Sequence, residues 1–444
     1  MSTTTQRISD GAKQMTRLLT RRLPVAALLG ALAVTACVEH EAVLPPVTPE
    51  PGGELFARYV AMGNSITSGT QSAGINDSTQ LESYAVMLAE QAGAQFNAPL
   101  LRSPGCPPPF VAPFGPRIGN LADDTCLLRD PTVRGPVQNV AVPGALIASA
   151  LDFEVAANAL TTLILGGRTQ VEAMRDADPT LVSVWLGNND ALGAAIAGIP
   201  ALLTPIDAFR THAEGVAAEI AATNAQDAIF IGVVDAVAAS PILQPGAYFW
   251  ALYQQDAGAF GGKPVLDNCA PVDFATGQPN PLAANMVSFR IVADADFPAI
   301  SCDPATYPPG VPTLHLLTVE EQQVVRTRVA EFNAVLEGVA DANGWIYIDP
   351  TAVFLPALMD GPPFNRIRKC QALQALPPGA TMEQFQQAVL QSCPVPPEFG
   401  GAPNFFGDWI SLDGVHPAAP AHSALTNAIV GALNAKHGLS IPGR

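Results

Sequence analysis

The residues best suited to chemistry in this chain are a serine, a histidine and an aspartate that lie far apart in the sequence. Ser65 follows a short apolar run, and Asp413 lies three residues before His416 in the segment DGVHPAAPAH. A serine hydroxyl is a weak nucleophile and needs a base within hydrogen-bond reach, and an imidazole is such a base when a carboxylate orients its ring. These residue types therefore suit acyl transfer, with Ser65 as nucleophile, His416 as base and Asp413 as the orienting carboxylate.

Acyl transfer also requires hydrogen-bond donors for the negative oxygen of its tetrahedral intermediate. The backbone amides of Ser65 and Gly144 are two candidates, and a carboxamide from the segment GNND at 187–190 is a third. Either Asn188 or Asn189 can supply that carboxamide. Taken singly, these features are more simply a turn serine, a loop glycine, an Asn-rich turn and a helix cap, but their joint occurrence favours catalysis.

A parallel sheet is the element that would bring these segments together. Five short runs are apolar on both faces, as buried parallel strands are: 58–63, 137–142, 181–187, 228–234 and 345–349. Helical patterns lie between them, with capping boxes expected from Thr79 to Glu82 and from Thr318 to Glu321. The alternation predicts a doubly wound α/β fold, whose sites form where loops leave the carboxyl ends of the strands.

In this order, the four polar segments resemble the four blocks of the SGNH (GDSL-like) esterase/lipase superfamily. Those blocks are Gly-Asp-Ser, a lone Gly, Gly-x-Asn-Asp and Asp-x-x-His. The resemblance implies catalytic roles for Ser65, Asp413 and His416, and an oxyanion hole formed by Ser65, Gly144 and Asn189. It also implies a flavodoxin-like three-layer α/β/α fold with a five-stranded parallel sheet. Two positions depart from the family: Asn64 stands where the family has Asp, which is the departure that matters, and Thr67 stands where the family has Ser, a mild change.

The resemblance implies a serine hydrolase that cleaves carboxylic esters through an acyl-enzyme, with a small-molecule, lipid or glycan ester as substrate and no cofactor or metal. Two alternatives stay open: a carbohydrate O-acetylesterase and, because of Asn64, a catalytically silent surface-binding lipoprotein. The sequence lacks G-x-S-x-G, H-E-x-x-H, C-x-x-C and P-loop motifs. Its net charge of −17 disfavours nucleic acid as a partner.

The amino-terminal residues are typical of an exported protein. Several basic residues precede the apolar run LPVAALLGALAVTA, which is too short to span a membrane and predicts a signal peptide over 1–36. The ending Val34-Thr35-Ala36-Cys37 resembles a bacterial lipobox, which implies lipidation of Cys37, although cleavage by ordinary signal peptidase is the alternative. We expect a lipid anchor at the cell envelope, with the outer membrane favoured because Val38 rather than Asp follows the cysteine. The Pro-rich, acidic segment 37–56 is expected to be a tether.

Six further cysteines predict disulfides in an exported chain. Local pairing gives Cys106–Cys126, Cys269–Cys302 and Cys370–Cys393, and none of these pairs has the spacing of zinc ligands. Each pair falls in a Pro-rich stretch that interrupts the α/β alternation, at 97–136, 237–316 and 351–411. We therefore expect one domain over 57–440 with three disulfide-braced insertions. Trp409, just before the histidine segment, is either a wall of the acyl pocket or a buried aromatic.

Overall fold

A parallel sheet of short apolar strands forms the centre of the protein, whose computed structural model describes residues 51–122, 126, 130, 135–156, 159–307, 313–354, 406 and 408–444. Its four strands pair in the order β1-β2-β3-β9, where the ranges are β1 Tyr59–Gly63, β2 Leu181–Trp185, β3 Asp227–Ile231 and β9 Ile346–Ile348. The strands are buried on both faces, which explains why their sequences are apolar throughout instead of alternating.

The remaining predicted strand, at 137–142, runs parallel to β1, but its hydrogen bonds with β1 are too few for a regular strand. The Ala61 amide donates to the Gln138 carbonyl at 2.8 Å, and the Val140 amide donates to the Ala61 carbonyl at 2.9 Å. The Val142 amide then donates to the Gly63 carbonyl at 3.1 Å. The segment 137–142 therefore lies on the outer edge of β1 and gives the spatial order 2-1-3-4-5 of flavodoxin-like folds, with the five segments numbered along the chain.

Helices cover both faces of this sheet and make a three-layer α/β/α arrangement. One core contains Val60 and Phe230 of the sheet, and a second core contains Tyr59 and Ile229, which point to the opposite face. The helices are α1 Ser65–Ser68, α2 Asp77–Leu81, α3 Tyr84–Ala92, α4 Phe153–Ala156, α5 Ala159–Leu165, α6 Gln170–Asp176, α7 Asn188–Ala197, α8 Ile206–Ala221, α9 Ala236–Ala239, α10 Gly246–Gln255, α11 Val319–Ala342 and α12 Ala419–His437. The first core packs α6, α8 and α11, and the second packs α3 and α12.

The predicted helix ends were partly right. Thr318 and Glu321 form the expected capping box at the start of α11. The capping box expected from Thr79 to Glu82 is wrong, because Thr79 is the third residue of α2 and pairs with the cap Asn76. The next helix, α3, begins after Ser83, whose hydroxyl accepts a hydrogen bond from the Val86 amide. Asn76 and Ser83 cap two successive helices, and sequence spacing alone does not show which polar residues of this stretch are the caps.

The insertion at 237–316 is folded against the main core. It contains the antiparallel strands β4 Leu243–Pro245, β7 Met286–Ser288 and β8 Leu316–Leu317, together with the short pair β5 Val272–Asp273 and β6 Gln278–Pro279. The predicted disulfide Cys269–Cys302 is present in it. Its buried side chains, Phe249 and Ile291 among them, belong to the same core as one face of the central sheet.

The remaining sequence predictions concern the other two disulfides and the amino-terminal segment, and only some of these residues are described. The disulfide Cys106–Cys126 is present, whereas Cys370–Cys393, Cys37 and the predicted signal peptide lie outside the described residues. The tether was expected to extend to residue 56, but Gly53–Phe56 form a 3-10 helix in which Leu55 and Phe56 are buried. Within the described residues, no helix combines the length and apolar character that a membrane crossing needs.

Candidate active site

Ser65 is the first residue of α1, directly after the carboxyl end of β1. Asn64 caps this four-residue helix, because its Oδ1 accepts a hydrogen bond from the Ile66 amide at 3.0 Å. The first amides of a helix have no partner within the helix. Accordingly, the Ser65 amide makes no hydrogen bond to another described residue, and it is free to donate to a bound oxygen.

The strand register brings the other predicted oxyanion donors to the level of Ser65. Gly63 pairs with Trp185 of β2 on one side and accepts from the Val142 amide on the other. Gly144 lies two residues beyond Val142, and Gly187 lies two residues beyond Trp185. Ser65 likewise lies two residues beyond Gly63. The Gly144 amide has no partner among the described residues, and its positive φ of 82° turns the chain in a way that favours glycine.

Gly187 shapes the turn that leads from β2 to the GNND segment. It has a φ of 100°, and a Cβ at this position would lie 2.8 Å from a methyl group of Val233 and 3.0 Å from the ring of Phe209. Any other residue would therefore be strained and would also collide with its neighbours. The turn allows α7 to begin at Asn188, so that both asparagines lie at a helix start beside the nucleophile turn.

The two asparagines of GNND have different contacts. The Oδ1 atom of Asn188 accepts from the Val234 amide at 2.9 Å, which ties α7 to the segment that follows β3. The Nδ2 atom of Asn189 donates to the Ala145 carbonyl at 2.9 Å, one residue beyond Gly144. A carboxamide nitrogen has two hydrogens, so Asn189 keeps one donor for a ligand beside Gly144. Asn188 Nδ2 is buried and has no hydrogen-bond partner among the described residues, so each asparagine retains an unused donor, and the predicted Asn189 is the one held beside Gly144.

Asp413 holds His416 through a short hydrogen bond and is itself held by backbone amides. The His416 Nδ1 atom lies 2.6 Å from Asp413 Oδ2, and the Val415 and His416 amides donate to Asp413 Oδ1 at 2.8 and 2.9 Å. The Ala73 amide donates to Asp413 Oδ2 at 2.5 Å. The carboxylate is 7% exposed and the imidazole 17% exposed, so the ring remains within reach of a substrate.

The electrostatics of this pair decide which ring nitrogen can act as a base. Burial raises the pKa of the Asp413 carboxyl, but the charge of His416 and the hydrogen bonds from His416 and Val415 outweigh it and lower the pKa to about 2. At neutral pH the carboxylate is ionised and can only accept hydrogen bonds. The His416 Nδ1 atom therefore carries a proton, and Nε2 is the nitrogen left to accept one.

The loop after the nucleophile helix is joined to the histidine loop by paired hydrogen bonds. The Ser72 amide donates to Ser411 Oγ at 2.8 Å, and the Leu412 amide donates to Ser72 Oγ at 3.2 Å. Together with the bond from Ala73 to Asp413, these contacts hold two loops that are some 340 residues apart in sequence. The structure thus joins the loop that follows α1 to the loop of the Asp413–His416 pair.

An apolar cavity opens beside these residues. It encloses about 610 Å³ including its mouth, and its walls include the neighbours of the predicted catalytic residues: Ile66 after Ser65, and Val415 and Pro417 on either side of His416. Trp409 lines it as well, packed edge-on against Phe354 at 6.1 Å. Gly144 instead borders a smaller cavity of about 380 Å³, on the other side of β1.

Two residues that position the nucleophile turn were not found by sequence reasoning. Gln170 holds the end of β1 with both atoms of its carboxamide, accepting from the Gly63 amide at 2.8 Å and donating to the Gly63 carbonyl at 2.9 Å. Asn139 Nδ2 donates to the carbonyl of Thr67, in α1, at 2.9 Å. Single amide residues next to a helix start or within a strand-like run carry no local signal of such a contact.

Asp190 braces the loop and does not contact the Asp413–His416 pair. Its two carboxyl oxygens accept from the Ile147 amide at 3.0 Å and from the Thr204 hydroxyl at 2.8 Å. Burial raises the pKa of Asp190 to about 6. The contacts connect α7 to the segment that follows Gly144, as expected for a structural role. Among the described residues, no group of three His, Cys, Asp or Glu side chains is placed to hold a metal ion.

Comparison with known proteins finds distant structural likeness only. No protein-family model matches the chain, and no curated protein matches it. Solved structures similar to it include an alpha/beta hydrolase from the metagenome of Lake Arreo, Spain, at 12% identity and a TM-score of 0.33, covering 86% of this chain and 97% of that one. An acetylxylan esterase mutant from Geobacillus stearothermophilus has 12% identity and a TM-score of 0.32, covering 84% and 92%. A phospholipase A1 from Streptomyces albidoflavus NA297 has 13% identity and a TM-score of 0.32, covering 85% and 98%.

Proposed function

We propose that this protein is a serine ester hydrolase of the SGNH type. The observation that carries the proposal is the Asp413–His416 pair, held at 2.6 Å and tied by backbone hydrogen bonds to the loop that follows Ser65. The likeness to solved structures is too distant to support an activity, so the proposal rests on the residues of this chain.

In the proposed mechanism, the Ser65 Oγ atom attacks the carbonyl carbon of the ester while its proton passes to His416 Nε2. Asp413 keeps the ring in the required tautomer and stabilises the positive charge that forms on it. The carbonyl oxygen becomes negative, and the amides of Ser65 and Gly144 and the second Nδ2 hydrogen of Asn189 donate to it. One such donor typically contributes about 100- to 1,000-fold to the rate.

The intermediate then collapses as the carbon–oxygen bond to the alcohol breaks. The departing alkoxide takes the proton from His416, so the alcohol leaves neutral and the acyl group remains on Ser65. A water molecule next attacks the acyl carbonyl and gives its proton to His416, which passes it back to Ser65 Oγ. The products are an alcohol and a carboxylic acid, and the residues return to their starting state without a cofactor.

A fluorophosphonate probe tests the nucleophile directly, because it bonds covalently to an activated serine. We expect the purified protein to be labelled and to hydrolyse p-nitrophenyl esters, and Ser65→Ala to lose labelling and at least about 1,000-fold in kcat. Ser78→Ala, which changes an exposed serine on α2, is the matched control and should behave like the wild type. Persistent labelling of Ser65→Ala would show that the nucleophile is another residue, and an unlabelled, inactive wild type would favour a binding protein.

We further propose that the protein is exported and anchored to the envelope through a lipid on Cys37. The two described disulfides support export, because such bonds persist in oxidising compartments. With an alkyne-tagged palmitate in growing bacterial cells, the wild type should be labelled and found with the membranes. Cys37→Ser should lose the label and leave the membrane fraction. An unlabelled wild type would contradict the anchor and leave the proposed hydrolase activity untouched.

A further inference from the structure

We propose that the apolar cavity beside Ser65 binds the acyl chain of the substrate, and that the enzyme prefers esters of apolar acids several carbons long over acetyl esters. This inference rests on the proposed function and names the substrate class of the same site. Its observation is the cavity between Ile66 on one side and Val415 and Pro417 on the other, directly beside the predicted nucleophile and base.

The lining of the cavity matches hydrocarbon. Of its fourteen lining residues all but Asn188 and Ser240 are apolar, and no charged side chain is among them. The oxygen of Asn188 already accepts from the Val234 amide, and its buried Nδ2 atom is a single donor without a partner among the described residues. A sugar ring would need several hydrogen-bond partners to replace its lost hydration, whereas burying a methylene group is favourable by about 0.8 kcal/mol. The walls therefore favour an alkyl chain over a glycan.

The extent of the apolar wall argues against acetyl as the preferred acyl group. The wall continues from Ile66, beside Ser65, to Ala239 and Trp409. An acetyl group has a single methyl to bury and would leave most of the apolar wall in contact with water. A longer chain would contact the partly exposed Leu192, Ala239 and Trp409 as well, and each added contact lowers the free energy of the bound state.

The position of the cavity indicates the acyl group and not the alcohol. The acyl group stays bonded to Ser65 after the first step, and the residue next to Ser65, Ile66, forms part of the wall. The alcohol must leave before water can attack, so its path has to be open to solvent. A recess with aromatic walls at Trp409 and Phe354 is better suited to the part of the substrate that remains.

The test compares acyl chain lengths with a constant alcohol, using p-nitrophenyl acetate, butyrate, hexanoate and octanoate at concentrations below micelle formation. Each buried methylene should raise kcat/KM by about four-fold, the equivalent of about 0.8 kcal/mol. Allowing for incomplete burial, we expect octanoate to exceed acetate by roughly 100-fold. A parallel series of acetate esters with lengthening alcohols should be nearly flat. A higher kcat/KM for acetate than for octanoate, or a steep alcohol series, would overturn the proposal.

Two variants place the effect in the cavity. Ala239→Phe, on α9, fills the cavity and should lower kcat/KM for octanoate by at least about tenfold more than kcat/KM for acetate. Leu192→Ala enlarges it from α7 and should shift the preferred chain to a longer one. Ala238→Phe introduces the same side chain one residue away, outside the cavity lining, and should leave the ratio of the two substrates unchanged. Equal effects of both phenylalanines on both substrates would contradict the proposal.

The same samples separate the two proposals. Fluorophosphonate labelling of each variant reports whether Ser65 is still activated, whatever acyl chain is preferred. A protein that is labelled and hydrolyses acetate best would retain the proposed hydrolase function and lose the acyl-chain inference. A protein that is never labelled would lose both.

Discussion

Asn64 is the main residue at which this chain departs from the family that it resembles, and its contacts show which part of the side chain is used. Its Oδ1 atom caps α1 through the Ile66 amide, as one oxygen of an aspartate would. Its Nδ2 atom is buried and has no hydrogen-bond partner among the described residues. The geometry of the nucleophile turn therefore depends on the oxygen that Asn and Asp have in common.

Because Oδ1 is the only side-chain atom of Asn64 that makes a hydrogen bond to a described residue, the effect of substitutions at position 64 can be predicted. Asn64→Asp keeps the capping oxygen, and we expect its kcat/KM to remain within about 3-fold of the wild type. Asn64→Ala removes the cap, worth about 1 kcal/mol, and displaces the Ser65 amide, so kcat/KM should fall by about tenfold. The measurement is ester hydrolysis by both purified variants at neutral pH. A fully active Asn64→Ala would show that the cap does not hold the nucleophile.

At the scale of the elements, the site depends on hydrogen bonds between chain segments that are distant in sequence. Gln170 at the start of α6 holds the end of β1, and Asn139 joins the edge segment to α1. His422 joins α12 to α3, because its Nδ1 atom accepts a hydrogen bond from the Tyr84 amide at 3.1 Å. The ring of His422 also stacks on that of Tyr84, with centroids 6.4 Å apart.

His422 gives the packing of α3 against α12 a dependence on pH. Burial, with a smaller contribution from the charge of His416, lowers the pKa of His422 to about 3 from an ordinary value of 6.5. Between these values the unfolded chain binds a proton that the folded chain excludes, so the folded state loses stability as pH falls below about 6.5. At pH 5 this loss is about 2 kcal/mol for the single group.

The variant His422→Asn isolates this effect, because an asparagine oxygen can replace Nδ1 as acceptor and does not titrate. We expect wild type to lose about 2 kcal/mol more than His422→Asn between pH 7 and pH 5, as measured by urea unfolding. Buried Asp190 has a raised pKa and acts in the opposite direction, but it is common to both proteins and cancels in the comparison. Parallel acid sensitivities of the two proteins would mean that His422 is not the group that titrates.

At the scale of the whole molecule, the insertion at 237–316 is part of the fold that supports the site. Its side chains share one core with the central sheet, and the Gly414 carbonyl, one residue from Asp413, accepts from the Ile242 amide at 3.0 Å. The insertion therefore contacts the histidine loop directly. Loss of its internal order should weaken the site as well as the fold.

Removal of the Cys269–Cys302 disulfide tests this dependence. The bond closes a loop of sequence separation 33, and such a loop restricts the unfolded chain by about 3–4 kcal/mol. We expect the double variant Cys269→Ser/Cys302→Ser to unfold at clearly lower temperature than the wild type and to lose ester hydrolysis at a correspondingly lower temperature. Both can be followed in parallel thermal scans, by circular dichroism and by residual activity. Inactivation at the same temperature as the wild type would indicate that the insertion is dispensable for the site.

Features that depend on local physics could be predicted from the amino-acid sequence alone. Buried parallel strands are apolar on both faces, so the α/β alternation could be predicted. Capping residues mark where a helix begins, so the cap at Thr318 could be predicted as well. The Asp413–His416 pair could also be predicted, because its two members are three positions apart and lie in one turn. Even locally, the prediction failed where several neighbouring residues are able to act as caps: Thr79 was expected to be one, but Asn76 and Ser83 are the caps.

Contacts between residues that are distant in sequence could not be predicted, because they depend on tertiary packing. The bonds of Gln170 to Gly63, Asn189 to Ala145 and Ser72 to Ser411 join segments separated by 107, 44 and 339 residues. A hydrogen bond across such a distance leaves no periodicity in the sequence, because it depends on the packing of the helices and sheet between its two ends. For the same reason the apolar cavity beside Ser65 could not be predicted from the sequence: its walls come from five separate stretches of chain, and their common surface exists only once the sheet has formed.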